Sequence, residues 1–264
     1  MDLEKLCKSV IEIAKHAGAF IAGERINFDL NLVELKGKAN FVSYVDKKAE
    51  ELIVDSLRKL LPDSGFITEE GTAFDSGEKY RWVIDPLDGT TNFIHGAPPF
   101  AVSIGLMEEE EIILGVVYEI TRDECFYAWK GSRAMLNGKE IHVSEAPTST
   151  EALVVTGFPY GEVKNSDAFV ETIKYLMVHT QGIRRLGSAA TDLSYVAAGR
   201  FEAFWETGLS PWDIAAGVII LKQAGGRVTD FKGNNSFLFG GEIVATNNNY
   251  YNEFQSIVAE NYCK

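Results

Sequence analysis

Three cysteines in 264 residues, Cys7, Cys125 and Cys263, are too few and too scattered for a disulfide framework or a zinc-ligand cluster. The four histidines, His16, His95, His142 and His179, share no metal-ligand spacing, so zinc or iron chemistry is not expected. Basic residues are scarce. Against 38 Asp and Glu stand 25 Lys and Arg, giving a formal net charge of −13 and a pI near 4.8. Phosphate backbones and anionic membranes demand a basic footprint, so this balance argues against nucleic acid and membrane surfaces as partners. No apolar run approaches the roughly 20 residues that a membrane span requires. Met1-Asp2-Leu3-Glu4-Lys5 lacks the basic-then-apolar layout of a signal peptide. The expectation is a soluble, cytoplasmic protein.

What the chain has in quantity is core: 46% of its residues are hydrophobic, ample for one large domain or two fused halves. Apolar residues recur at helical spacing over 3–26, and a second helix fits 44–61, stopping before Pro62. Strand signals follow at 65–68 and 80–84, then at 101–106, 112–118 and 125–129 as a meander. The acidic run Glu108–Glu111 reads as a solvated hairpin turn, and Asn137-Gly138 is a strong hairpin signal. Glu145-Ala146-Pro147-Thr148-Ser149-Thr150 is the candidate junction. Beyond it, strands at 152–156, 182–185, 203–206, 227–229 and 243–246 alternate with helices at 166–179, 189–198, 214–224 and 250–260. Residues 1–146 thus read as an α+β half, and 147–264 as an α/β half, of one compact unit.

The most informative segment is Trp82-Val83-Ile84-Asp85-Pro86-Leu87-Asp88-Gly89-Thr90-Thr91-Asn92-Phe93. An apolar strand signal ends in Asp85, and Pro86 biases that residue toward an extended conformation. Gly89 permits a sharp turn and close approach to a ligand. Such a bend can aim both carboxylates and the Leu87 carbonyl at one point, three hard oxygen donors of the kind magnesium needs. Gly89-Thr90-Thr91 reads as a helix start whose free N–H groups can cradle a phosphate oxygen. Glu69-Glu70 follows the strand signal at 65–68; alone, it is an exposed acidic turn. Asp213 stands where an N-cap aspartate belongs, and Asp46 in the first turn of the second helix, each explained singly by capping or the helix dipole. Together, Glu69, Asp85, Asp88 and Asp213 all fall at strand ends or helix starts, where open sheets present ligands. Two metal ions about 4 Å apart would need several shared carboxylates of this kind.

Glu69-Glu70, the run from Asp85 to Phe93, and Trp212-Asp213-Ile214-Ala215-Ala216-Gly217 closely resemble, in order and separation, the signatures of the inositol monophosphatase family. Gln223-Ala224-Gly225-Gly226 matches the usual continuation, and the similarity covers essentially the whole chain. The resemblance implies a five-layer αβαβα sandwich, α+β / α/β in class, with an antiparallel N-terminal sheet and a mixed C-terminal sheet. It implies a lithium-sensitive hydrolase using two to three Mg2+ ions on a small phosphorylated substrate, first of all inositol 1-phosphate, and a homodimer. Glu69, Asp85 and the Leu87 carbonyl would bind one ion; Asp85, Asp88 and Asp213 a second; Glu69 and waters a weaker third. Thr90 with Glu69 would orient the attacking water. Glu206 would accept hydrogen bonds from an inositol hydroxyl, the Gly187-Ser188-Ala189 backbone would border the ring, and Gly89 and Thr90 would meet the phosphate. Lys36 and Asp46 match, more weakly, positions on a flap near the third ion, although 35–40 reads as a plain loop. Fructose 1,6-bisphosphate, NADP and histidinol phosphate are alternative substrates, and a binding or regulatory role is an alternative of another class. Arg184-Arg185, the one adjacent arginine pair, reads as a salt-bridge or subunit-contact feature before a substrate contact.

Overall fold

The computed structural model describes residues 1–26, 28, 33–37, 40–73, 79–158 and 166–262, with the backbone alone for 33–37 and 40–43. Five layers alternate helix and sheet. The first holds α1 (Leu3–Ile26) and α2 (Tyr44–Leu60), joined through an antiparallel ribbon of β1 (Val33–Gly37) and β2 (Asn40–Ser43). They cover a seven-stranded sheet ordered β3 (Gly65–Thr68), β4 (Tyr80–Asp88), β5 (Ala101–Glu108), β6 (Glu111–Glu119), β7 (Glu124–Trp129), β8 (Met135–Leu136) and β9 (Lys139–Glu140). It is antiparallel except for the β3–β4 pair. The short α3 (Thr90–His95) leaves the end of β4.

The second sheet runs β11 (Gly182–Arg184), β10 (Leu153–Thr156), β12 (Ala203–Thr207), β14 (Glu242–Thr246) and β13 (Arg227–Thr229), with parallel and antiparallel pairs. Its outer face is covered by α4 (Ser166–His179) and α8 (Tyr251–Tyr262). Between the sheets lie α5 (Ala189–Ala197) and α6 (Pro211–Gln223), and α7 (Phe237–Gly240) borders them. Strand alternation feeds separate layers: Val83 packs into the central core, while Trp82 and Ile84 face the outer helices. Every residue of α6 from Ile214 to Leu221 is buried, as a helix apolar all round must be. Gly105 and Gly115, opposite one another across β5 and β6, let α6 come down onto the sheet.

Three local expectations need correction. The segment 35–40 is not a plain loop: 33–37 and 40 belong to the ribbon, whose pairing supplies backbone partners that sequence spacing does not signal. Strand β4 does not stop at Ile84; it continues to Asp88 through a bulge, with Asp85 opposite Ser103 and Asp88 opposite Ala101. Proline is tolerated there because a bulge already interrupts the ladder. Helix α6 begins at Pro211, not 214, with Ser210 as N-cap and Asp213 two residues inside the first turn. The Glu108–Glu111 and Asn137-Gly138 turns form hairpins as expected. Cys7 and Cys125 are free and buried; Cys263 lies outside the described residues.

Candidate active site

Where β4, α3, α5, β12 and α6 meet, a cavity of about 340 Å³ opens between the two sheets. Its walls bring together Glu69, Asp85, Leu87, Asp88, Gly89, Thr90, Gly187, Ser188, Ala189, Glu206 and Asp213, residues spread over most of the sequence. The β4 bulge aims Asp85, and the Asp85 carboxylate accepts the Leu87 N–H at 2.9 Å, fixing the turn of the chain. Asp88 is held from the other half of the molecule: Ser188 Oγ donates to it at 2.6 Å and the Ala190 N–H at 2.7 Å. Asp213 accepts the Ser210 N–H at 2.7 Å, the backward arm of a capping box.

Gly89 has φ of 93°, and a Cβ there would lie 3.0 Å from the Pro99 carbonyl and 3.2 Å from that of Gly187. Only glycine lets α3 start so close to the second half. Asn92 closes the same seam, donating from Nδ2 to the Pro99 and Leu186 carbonyls at 2.7 and 2.8 Å.

Asp46 does not stand on a flap. It is fully buried in the first turn of α2, and Thr90 Oγ1 lies 2.9 Å from its carboxylate and 3.0 Å from the Leu87 carbonyl. A buried carboxylate takes the nearest hydroxyl donor, and Thr90 supplies it. Lys36 lies in β1, and its side chain is outside the described residues. Sequence reading missed one contributor and ranked a cavity role low for another. Glu50, buried in α2, accepts the N–H groups of Glu70 and Thr72 at 2.8 and 2.9 Å and the Thr72 hydroxyl at 2.7 Å, fixing the loop that carries Glu69. Its position one helical turn after Asp46 was the available signal. The other is Arg185, which lines the cavity, whereas Arg184 is exposed and donates to the Ile183 carbonyl.

Electrostatics mark the cavity as proton-rich without cations. Burial, then the charges of Asp213 and Glu70, pushes Glu69 up to about 8. Burial and then Asp88 raise both Asp213 and Glu206 to about 8. Asp85 is driven well above the usual carboxylate range by burial and then by Glu69. Asp88 rises only to about 6, because donors from Ser188 and the α5 amides oppose its burial. The all-oxygen donor set, short of positive charge, fits a hard divalent cation. Among the described residues, no three acidic, histidine or cysteine side chains are gathered closely enough to share one cation. Asp88 and Asp213 are held by backbone and hydroxyl donors, while Glu69 and Asp85 share a hydrogen bond with one another.

The stacking order of the layers, with an acidic cleft at the seam of the two sheets, defines the class: a five-layer αβαβα sandwich. The chain belongs to the inositol monophosphatase family, whose model matches residues 2–262. It is 43% identical over 250 residues to Nus factor SuhB of Pseudomonas aeruginosa, covering 93% of this chain and 92% of that one. It is 40% identical over 248 residues to inositol-1-monophosphatase of Mesorhizobium japonicum, covering 94% and 93%. The crystal structure of extragenic suppressor protein suhB from Bartonella henselae superposes with a TM-score of 0.90 at 38% identity, over 96% of this chain and 98% of that one.

Proposed function

We propose that the protein is a magnesium-dependent phosphatase that hydrolyses inositol 1-phosphate to inositol and phosphate. The observation that carries this reading is the meeting of Glu69, Asp85, Asp88 and Asp213 on one cavity, with Thr90 held by Asp46 at its edge. Glu69, Asp85, the Leu87 carbonyl, Asp88 and Asp213 would hold two to three Mg2+ ions, which when bound supply charge neutralisation at the phosphate and activation of water. Residues 1–146 provide most of these ligands and 147–264 complete the site. Thr90 orients the attacking water, its hydroxyl fixed by Asp46, while Glu69 shares that water's hydrogen bonds. The N–H groups after Gly89 face the phosphate at the start of α3. Glu206 accepts a hydrogen bond from a hydroxyl of the leaving group, beside the backbone of Gly187, Ser188 and Ala189. Attack is direct: no histidine or cysteine lines the cavity among the described residues, and its aspartates would be engaged by the cations.

Lithium sensitivity and a cytoplasmic location belong to the same reading, and so does a homodimer. The dimer is supported by exposed Val170, Tyr175, Met177 and Val178 on α4, near edge strand β11. Among the described residues, no helix is long and apolar enough to cross a membrane. The test is magnesium-dependent phosphate release from inositol 1-phosphate, fructose 1,6-bisphosphate, NADP and histidinol phosphate. The highest kcat/KM is expected for inositol 1-phosphate, and no release from any of them overturns the reading.

A second reading, a regulatory role beside catalysis, is favoured by the similarity to proteins named Nus factor SuhB. With a net charge of −13, such a role would run through protein contacts rather than nucleic-acid phosphates.

A further inference from the structure

Arg185 is the single cationic residue on the cavity wall among the described residues. Its guanidinium carbon sits 5.7 Å from the centre of the Phe158 ring, a stacking contact that limits where the fork can point. A Cβ on Gly187 would collide with Arg185 Nη1, so the guanidinium lies directly over the segment expected to border the substrate ring. Across the cavity, a Cβ on Gly157 would collide with the Glu206 carboxylate. Two glycines therefore leave room for one donor and one acceptor on the wall of the same cavity. Asp192 of α5 is a buried carboxylate neither of whose oxygens has a hydrogen-bond partner among the described residues. The Arg185 charge acts on both Asp192 and Glu206.

We propose that Arg185 is a specificity-determining residue that works with Glu206 to read adjacent hydroxyls of a neutral polyol leaving group, and that the site rejects a second phosphate there. This rests on the phosphatase reading above. A hydroxyl both accepts and donates, so a vicinal diol satisfies the guanidinium fork and the Glu206 carboxylate together. A second phosphate fares worse. A fully ionised phosphate carries no proton to donate, so it would leave the Glu206 acceptor unpaired, and Arg185 is the one cation on this wall among the described residues.

The test pairs binding with turnover in wild type, Arg185→Gln and Arg185→Lys. Calorimetry with magnesium present uses a non-hydrolysable phosphonate analogue of inositol 1-phosphate, a bisphosphonate analogue of fructose 1,6-bisphosphate, and phenylphosphonate, which has no hydroxyls. Arg185→Gln should weaken the inositol analogue at least about tenfold more than phenylphosphonate. Arg185→Lys, keeping the charge without the fork, should recover only part of that loss. Equal weakening of the inositol analogue and phenylphosphonate overturns the proposal, and so does a larger loss for the bisphosphonate than for the inositol analogue. Parallel assays with the hydrolysable substrates separate the two levels. Selective binding without turnover sinks the phosphatase reading and leaves the assignment of Arg185 standing.

Discussion

At the scale of single residues, Asp88 shows how one carboxylate serves both fold and site. It accepts two hydrogen bonds from Ser188 and Ala190 while facing the cavity, so its removal and its neutralisation differ. Asp88→Asn keeps the shape and an acceptor oxygen but loses the charge that would hold a cation. The expected outcome is a folded protein with phosphate release reduced at least about a hundredfold. Circular dichroism and a magnesium titration of activity check it, and unchanged turnover would refute Asp88 as a ligand. Glu206 is a different case: it shares the cavity with Asp88 and Asp213 and feels the Asp88 charge, but the Arg185 charge acts on it too. Glu206→Gln should lower kcat/KM for inositol 1-phosphate about five- to thirty-fold, the worth of one charge-assisted hydrogen bond. The loss for 4-nitrophenyl phosphate should be clearly smaller. Equal losses would assign Glu206 to the scaffold.

At the scale of elements, α6 carries Asp213, and its distance from the first sheet depends on Gly115. A Cβ there would lie 2.5 Å from the Ala216 carbonyl oxygen and 2.9 Å from the Ala216 Cα, backbone atoms that cannot swing aside. Gly115→Ala should therefore cost about 1–3 kcal/mol, the usual penalty of overpacking, and lift Asp213 from its place. Denaturant melts and the magnesium dependence of activity measure the two effects, and a stability equal to wild type would show that α6 rides more freely. The loop after β3 is a second such element. Glu50→Gln loses charge-assisted bonds to Glu70 and Thr72 and should raise the magnesium concentration needed for half-maximal activity, because Glu69 hangs on that loop. An unchanged magnesium requirement would make Glu50 a purely structural brace.

At the scale of the whole molecule, the cavity links folding to pH and to cations. Glu69 and Glu206 move from 4.5 to about 8, and Asp213 from 3.8 to about 8. The folded chain thus holds protons that the unfolded chain has released. Their contribution to stability is fully present below about pH 4 and is lost as pH rises through about 8. Cations bound to the same carboxylates would replace those protons. The melting temperature of the metal-free protein should therefore fall between about pH 6 and pH 8, and magnesium should raise it more at pH 8 than at pH 6. Thermal scans at both values, with and without magnesium, decide this. A magnesium effect that is the same at both would mean that the ions do not compete with protons at these carboxylates.

The sequence by itself determined the elements and their kind. Helical spacing located α1, α2 and α4, alternation located β5 to β7, and turn residues located the hairpins, because these depend on neighbours a few positions apart. It also exposed Glu69, Asp85, Asp88 and Asp213, whose surroundings in the chain carry the family resemblance. The tertiary structure alone decided which distant groups meet. Ser188 reaches Asp88 across 100 positions, and Thr90 reaches Asp46 across 44. The bulge that carries β4 past Pro86 exists because β5 pairs on both sides of it. Arg185 faces the cavity and Arg184 the solvent, a choice made where the chain leaves edge strand β11 on its way to α5. Local pattern fixes backbone conformation, but the partner of a buried charge is fixed by how two sheets stack on α5 and α6, and no short stretch of residues carries that information.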